Sequence, residues 1–186
     1  MNLQDINTMN EIFKSKKHII TVGIAVIAIL IVFIIPATWN NKLYHSMPAS
    51  AVGISVTNAS IEIGQSVTAT ISLNTNGASV NSVGLYIDFD PAILSINSIS
   101  TTSSFCTFYI DRSYDNIKGV ARLFCGAPTP GFSGQNTLET ITFTPLTYGH
   151  ANIAIDPKSI VLANDGKGTN LLKTFEKTNV SVILSE

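Results

Sequence analysis

Few side chains in this sequence are suited to chemistry. Asp88 and Asp90 alternate along a strand-like run, so their carboxylates share an outward face, and two carboxylates so placed could divide acid and base work. Asp90 precedes Pro91, however, and at a strand end such residues cap a turn or, with other oxygens, hold a calcium ion. Asn164-Asp165-Gly166 resembles a calcium-type turn, but the full pattern Asp-x-Asp-x-Asp-Gly is absent. His150, in Tyr148-Gly149-His150, is the one histidine beyond His45 and reads as a surface residue in a turn. The sequence contains no nucleophile elbow, no phosphate-cradling glycine loop and no metal-type histidine pair. Cys106 and Cys125, without a histidine cluster, do not make a zinc site. The expectation is a binding protein: no catalytic residues, no metal and no cofactor.

Strands must position these residues. Val67, Ala69, Ile71 and Leu73 alternate with Thr68, Thr70, Ser72 and Asn74, and Val83, Leu85, Ile87 and Phe89 alternate with Ser82, Gly84, Tyr86 and Asp88. Period two puts one set on a core and the other on solvent. Further β-rich runs lie at Gly53 to Asn58, Ile93 to Ile99, Phe105 to Asp111, Gly119 to Cys125, Leu138 to Thr144, Ala151 to Ile155, Ser159 to Ala163 and Asn179 to Leu184. Turn signals such as Ile63-Gly64-Gln65, Asn76-Gly77, Asp90-Pro91, Pro128-Thr129-Pro130-Gly131 and Asn164-Asp165-Gly166 separate them. About nine or ten short strands without an amphipathic helix predict an all-β, two-sheet β-sandwich.

Ahead of the strands lies Ile19 to Ile35, seventeen residues in which Thr21 is the only polar side chain. As a helix it spans roughly 26 Å, close to the roughly 30 Å of a bilayer's hydrocarbon. Lys14, Lys16 and Lys17 precede it, which by the positive-inside bias keeps the N-terminus in the cytoplasm and exports everything after Pro36. A cleaved signal peptide is the alternative, although Ile35-Pro36-Ala37-Thr38-Trp39 is a poor cleavage site. The expected organisation is a cytoplasmic stretch (1–18), a transmembrane signal-anchor helix (19–36), a tether (37–51) and an extracellular or cell-surface β-domain (52–184). The whole chain of 186 residues is 12% charged with net charge −1, and seven basic against ten acidic side chains from Leu43 onward leave the exported part at −3. Nucleic acid is therefore excluded as a partner.

An exported domain favours a disulfide between Cys106 and Cys125, the alternative being two small buried thiols that face one another. Placing the cysteines directly opposite one another in a hairpin centres its turn on Asp115-Asn116. That register sets Phe108 opposite Leu123 and Ile110 opposite Ala121 on the buried face, with Tyr109 opposite Arg122 as a cation–π pair and Thr107 opposite Phe124 on the other.

The segment Val83 to Ile99, VGLYIDFDPAILSINSI, resembles the signature of cohesin domains, in which a strand ends at Tyr-Asp-Pro or a close variant and continues as x-x-Leu-x-aliphatic. Ile63-Gly64-Gln65-Ser66-Val67, Gly119 to Phe124, Leu138-Glu139-Thr140-Ile141-Thr142-Phe143 and Leu162-Ala163-Asn164-Asp165-Gly166 follow the same order, so the resemblance covers Val52 to Leu184. It implies a nine-stranded jelly-roll sandwich akin to the cellulose-binding modules of families 2 and 3. Cellulosomal cohesins bind the dockerin modules of polysaccharide-degrading enzymes through the sheet that holds the strand before Asp-Pro and the following hairpin. On this chain the outward positions of that sheet are Ser82, Gly84, Tyr86 and Asp88, then Tyr109, Arg122 and Phe124. Ser82 and Gly84 depart from the family, which often carries Asn and Asp there.

Three functions are compatible with this pattern. The first is a surface-displayed module docking a dockerin-like or envelope protein, linked to polysaccharide binding or breakdown, with Tyr86, Tyr109, Arg122 and Phe124 as anchors and Asp88 as a rim charge. The second is direct carbohydrate binding, which needs coplanar exposed rings; Tyr86, Tyr109 and Tyr114 are the rings on offer. The third is a structural or adhesive envelope domain working by edge-strand pairing.

Overall fold

The computed structural model describes residues 47–184; the apolar segment Ile19–Ile35, its lysine flank and the tether up to residue 46 lie outside the described residues. Among the described residues there are twelve strands and no helix long and apolar enough to cross a membrane. One sheet has the order β11-β1-β3-β8-β5, from Leu172–Phe175 (β11), Ser50–Val56 (β1), Val67–Asn74 (β3), Gln135–Pro145 (β8) and Leu94–Ser100 (β5). The other has the order β2-β12-β9-β4-β7-β6, from Ser60–Glu62 (β2), Lys177–Ile183 (β12), Gly149–Ile155 (β9), Val80–Phe89 (β4), Val120–Gly126 (β7) and Phe108–Asp115 (β6), with Ile160–Ala163 (β10) also pairing β4.

Period two sorts the core as expected. Val67, Ala69, Ile71 and Leu73 of β3 and Val83, Leu85, Ile87 and Phe89 of β4 are all buried. The two sheets meet through contacts such as Phe89 against Phe143, edge to face at 5.3 Å. Each large side chain so buried contributes roughly 1.5–3 kcal/mol, and no ladder of isolated strands would persist without it. The ten expected runs all become strands, but β2 and β11 are additions, and β1 opens at Ser50, ahead of the expected domain start at Val52.

The hairpin register differs from expectation. Cys106 and Cys125 are disulfide-bonded, with Cα atoms 5.7 Å apart, but Cys106 lies before β6 and it is Tyr109 that sits opposite Cys125. The pairs run Phe108 with Gly126, then, after a bulge between Tyr109 and Asp111, Arg112 with Leu123, Ser113 with Arg122 and Tyr114 with Ala121. Gly126 sets this register: a Cβ there would stand 2.6 Å from the Phe108 ring, so only glycine leaves space for it. Phe108 and Ile110, expected inside, are consequently exposed, Ile110 at 79%. The expected Tyr109–Arg122 pair is replaced by Arg112, whose guanidinium lies 5.7 Å from the centre of the Tyr109 ring.

The β6–β7 turn closes on the other sheet. Asn116 accepts from the Ile96 backbone N–H at 2.7 Å and donates to the Ile96 carbonyl at 3.0 Å, supplying ladder bonds where β5 bulges between Ile96 and Ser98. Gly119 has φ +70°, and a Cβ on it would collide with the Phe89 carbonyl and the Pro91 ring. The turn therefore locks against the Asp90-Pro91 corner.

Candidate functional site

The outer face around β4 and β7 collects most of the expected site residues. Direct pairing places Gly84 beside Phe124, Tyr86 beside Arg122 and Asp88 beside Val120. Gly84 is not an open surface position. The Phe124 ring lies over it, 2.9 Å from where a Cβ would be, and packs edge-on against Tyr86 with centroids 5.3 Å apart and planes at 85°. Tyr109 does not join this group: opposite Cys125, it takes the inward-turned face of the edge strand, as do Arg112 and Tyr114. Asp90 spends its carboxylate on the turn, accepting from the Ala92 N–H at 3.0 Å.

β9 and β10 run along the same edge of β4 but break between them. The break is the turn Asp156-Pro157-Lys158-Ser159, which bonds to Tyr86 from both ends: Asp156 N–H donates to the Tyr86 carbonyl at 2.9 Å and Ser159 Oγ accepts from the Tyr86 N–H at 3.0 Å. A turn signal between two short apolar runs marks this site in the sequence, yet nothing local tells that it faces Tyr86. The turn, the β4–β7 surface and the β6–β7 loop enclose a cleft of about 220 Å³ whose walls include Tyr86, Asp88, Lys118, Arg122, Asp156 and Lys158.

Its charges are largely matched. Lys158 Nζ stands 3.1 Å from Asp156 Oδ2, Lys118 Nζ 3.5 Å from Asp115 Oδ2, and Arg122 Nε 3.6 Å from Asp111 Oδ2. The backbone N–H of Lys158, then its ammonium, hold the Asp156 carboxyl below its usual range, and the Lys118 N–H does the same to Asp115. Asp88 moves the other way. Partial burial, then the nearby Asp156 carboxylate, push it up, with Lys158 offsetting only part. Among the described residues no group of three or more His, Cys, Asp or Glu side chains converges as a metal site. A second concavity, about 270 Å³, lies on the five-stranded sheet beside Gly53, Ser72 and Glu176, and its walls mix polar and apolar groups.

No protein-family model matches the chain, and no curated protein matches it by sequence. Solved structures do match. A cohesin module from a family 33 glycoside hydrolase of Clostridium perfringens superposes with a TM-score of 0.61 at 14% identity, covering 74% of this chain and 99% of that one. The domain has the cohesin fold. A type I cohesin–dockerin complex from Clostridium thermocellum matches with a TM-score of 0.58 at 10% identity, over 73% of this chain and 96% of that one. A non-cellulosomal cohesin from the archaeon Archaeoglobus fulgidus gives 0.55 at 12%, over 72% and 91%. At such identities the cohesin fold is what is shared.

Proposed function

We propose that this chain is a membrane-tethered, surface-displayed cohesin-like module that docks a protein partner of dockerin type on the outer face of β4 and β7. The observation that carries the reading is the grouping of Tyr86, Phe124 and Arg122 on one sheet face around a cleft, in a fold whose neighbours include a cohesin–dockerin complex. Aromatic and arginine side chains are the usual anchors of protein interfaces. The seventeen-residue apolar segment behind three lysines supports the tether and the outward display. A role beside polysaccharide breakdown belongs to the same proposal.

Direct glycan binding has less support. The Tyr86 and Phe124 rings cross nearly at right angles and Tyr109 and Tyr114 lie on the opposite face, so they form no flat row. The adhesive reading rests on β6, the sheet edge, where Phe108 and Ile110 are exposed.

Fluorescent dockerins added to intact cells that express the full chain test the proposal. We expect at least one dockerin to label intact cells, with labelling falling about tenfold or more for the double variant Tyr86→Ala, Arg122→Ala, since two interface anchors at over 1 kcal/mol each are removed. Labelling only after lysis would overturn the topology. No labelling in either state would overturn docking, and retained labelling in the double variant would overturn this face.

A further inference from the structure

The cleft beside Tyr86 is short of one positive charge. Its walls carry three carboxylates, Asp88, Asp115 and Asp156, and three cations, Lys118, Arg122 and Lys158, but Arg122 pairs with Asp111, which is not one of those walls. Each cation pairs with an aspartate other than Asp88, at 3.5, 3.6 and 3.1 Å respectively, and of the three Lys158 also offsets part of the Asp88 charge. Asp88 is the remainder. Among the described residues it has neither a salt bridge nor a side-chain hydrogen bond, although it is exposed and stands where Tyr86 and the Asp156 turn narrow the surface.

We propose that this cleft receives a single lysine or arginine side chain from the docked protein, its cation on Asp88 and its stem against Tyr86 and Val120. The inference rests on the docking reading above and names the chemistry of the partner. Three observations choose this occupant. The cleft's 220 Å³ is below the roughly 300–1,000 Å³ typical of small-molecule pockets, which suits one long side chain. The Tyr86 ring offers its surface to an alkyl stem and its quadrupole to a cation. The unmatched charge is negative, so an anionic partner group would meet repulsion from Asp88 and Asp156 alike, and burial together with Asp156 already strains the Asp88 carboxylate toward its proton. An incoming cation offsets the charge of both carboxylates.

The test uses the full chain in nanodiscs with carbon-13 label in the aspartate carboxyls, titrated with n-butylammonium and, in parallel, with neutral n-butanol. The expected result is a saturable shift at Asp88 with n-butylammonium, larger than at the exposed Asp165, and none with n-butanol. Equal, unsaturated shifts at Asp88 and Asp165 would overturn the inference. For a dockerin that labels cells in the assay above, Asp88→Asn is expected to weaken binding about fivefold and flatten its salt dependence, the upper end for a partly exposed pair, while Asp88→Glu keeps most of it. Binding untouched by Asp88→Asn but lost with Tyr86→Ala overturns the cation site and leaves docking standing. Saturation at Asp88 with no dockerin bound leaves the cation site and removes docking.

Discussion

Alternation along β8 carries Glu139 inward with Ile141 and Phe143, to 1% exposure, and neither of its carboxylate oxygens finds a hydrogen-bond partner. The pattern Leu138-Glu139-Thr140-Ile141 shows this parity in the sequence, but a lone acid in an alternating run is easily passed over as a solvent-face residue. Burial pushes its carboxyl to about 7, with the Arg112 charge opposing. Neither β3 nor β5, which flank β8, carries an ionisable side chain, and Arg112 is itself engaged with Thr101 Oγ1 at 2.9 Å. Because the folded state holds this proton to a higher pH than the unfolded chain, whose value is near 4.5, the effect on stability is absent below about pH 4.5 and grows as a cost up to about pH 7. The cost is about 3 kcal/mol once complete. Asp115, Asp156 and Asp165, held low, work in the opposite direction at acid pH, so the difference between variants is the clean measure. Urea unfolding of Glu139→Gln is expected to match the natural chain at pH 4 and exceed it by about 2–3 kcal/mol at pH 8. A difference independent of pH would contradict the burial account.

At the scale of elements, the strands held by antiparallel pairing are legible in the sequence, and the two short ones added by parallel pairing are not. β3 and β4 carry seven or more alternating residues, enough for period two to define a face, whereas β2 and β11 have three and four and owe their place to parallel pairing with β12 and β1. Such pairing leaves no local pattern. The hairpin differs for another reason: the spacing of the two cysteines predicts a pair in register, but the disulfide that joins them tolerates an offset that Gly126 and the bulge at Ile110 impose. Asn116 was legible only as a turn residue. Its two bonds to Ile96 tie the β6–β7 hairpin to β5, and with it the Arg122 wall of the cleft. Asn116→Ala leaves a partly buried backbone N–H and C=O unpaired, and thermal or urea unfolding should read a loss of about 2–4 kcal/mol, two such groups at the usual cost each. A loss under about 0.5 kcal/mol would mean that water replaces the clamp.

For the whole molecule, the sandwich and the side of β4 that faces solvent follow from apolar periodicity, while the cohesin fold is what the resemblance of Val83 to Ile99 implies. The cleft does not, because it is made where three distant segments meet: β4, the β6–β7 loop and the Asp156 turn. Of the anchors read from the sequence, Tyr86, Asp88, Arg122 and Phe124 come together and Tyr109 stands apart, since the bulge reverses its parity relative to Arg122. Hydroxyl-radical footprinting of the full chain, free and with a bound dockerin, tests the docking face most directly. Tyr86 and Phe124 should lose oxidation in the complex, while Phe175, exposed at 41% on the five-stranded sheet, keeps its own. Unchanged oxidation of Tyr86 and Phe124 alongside shielding of Phe175 would place the partner on the other sheet and contradict the account.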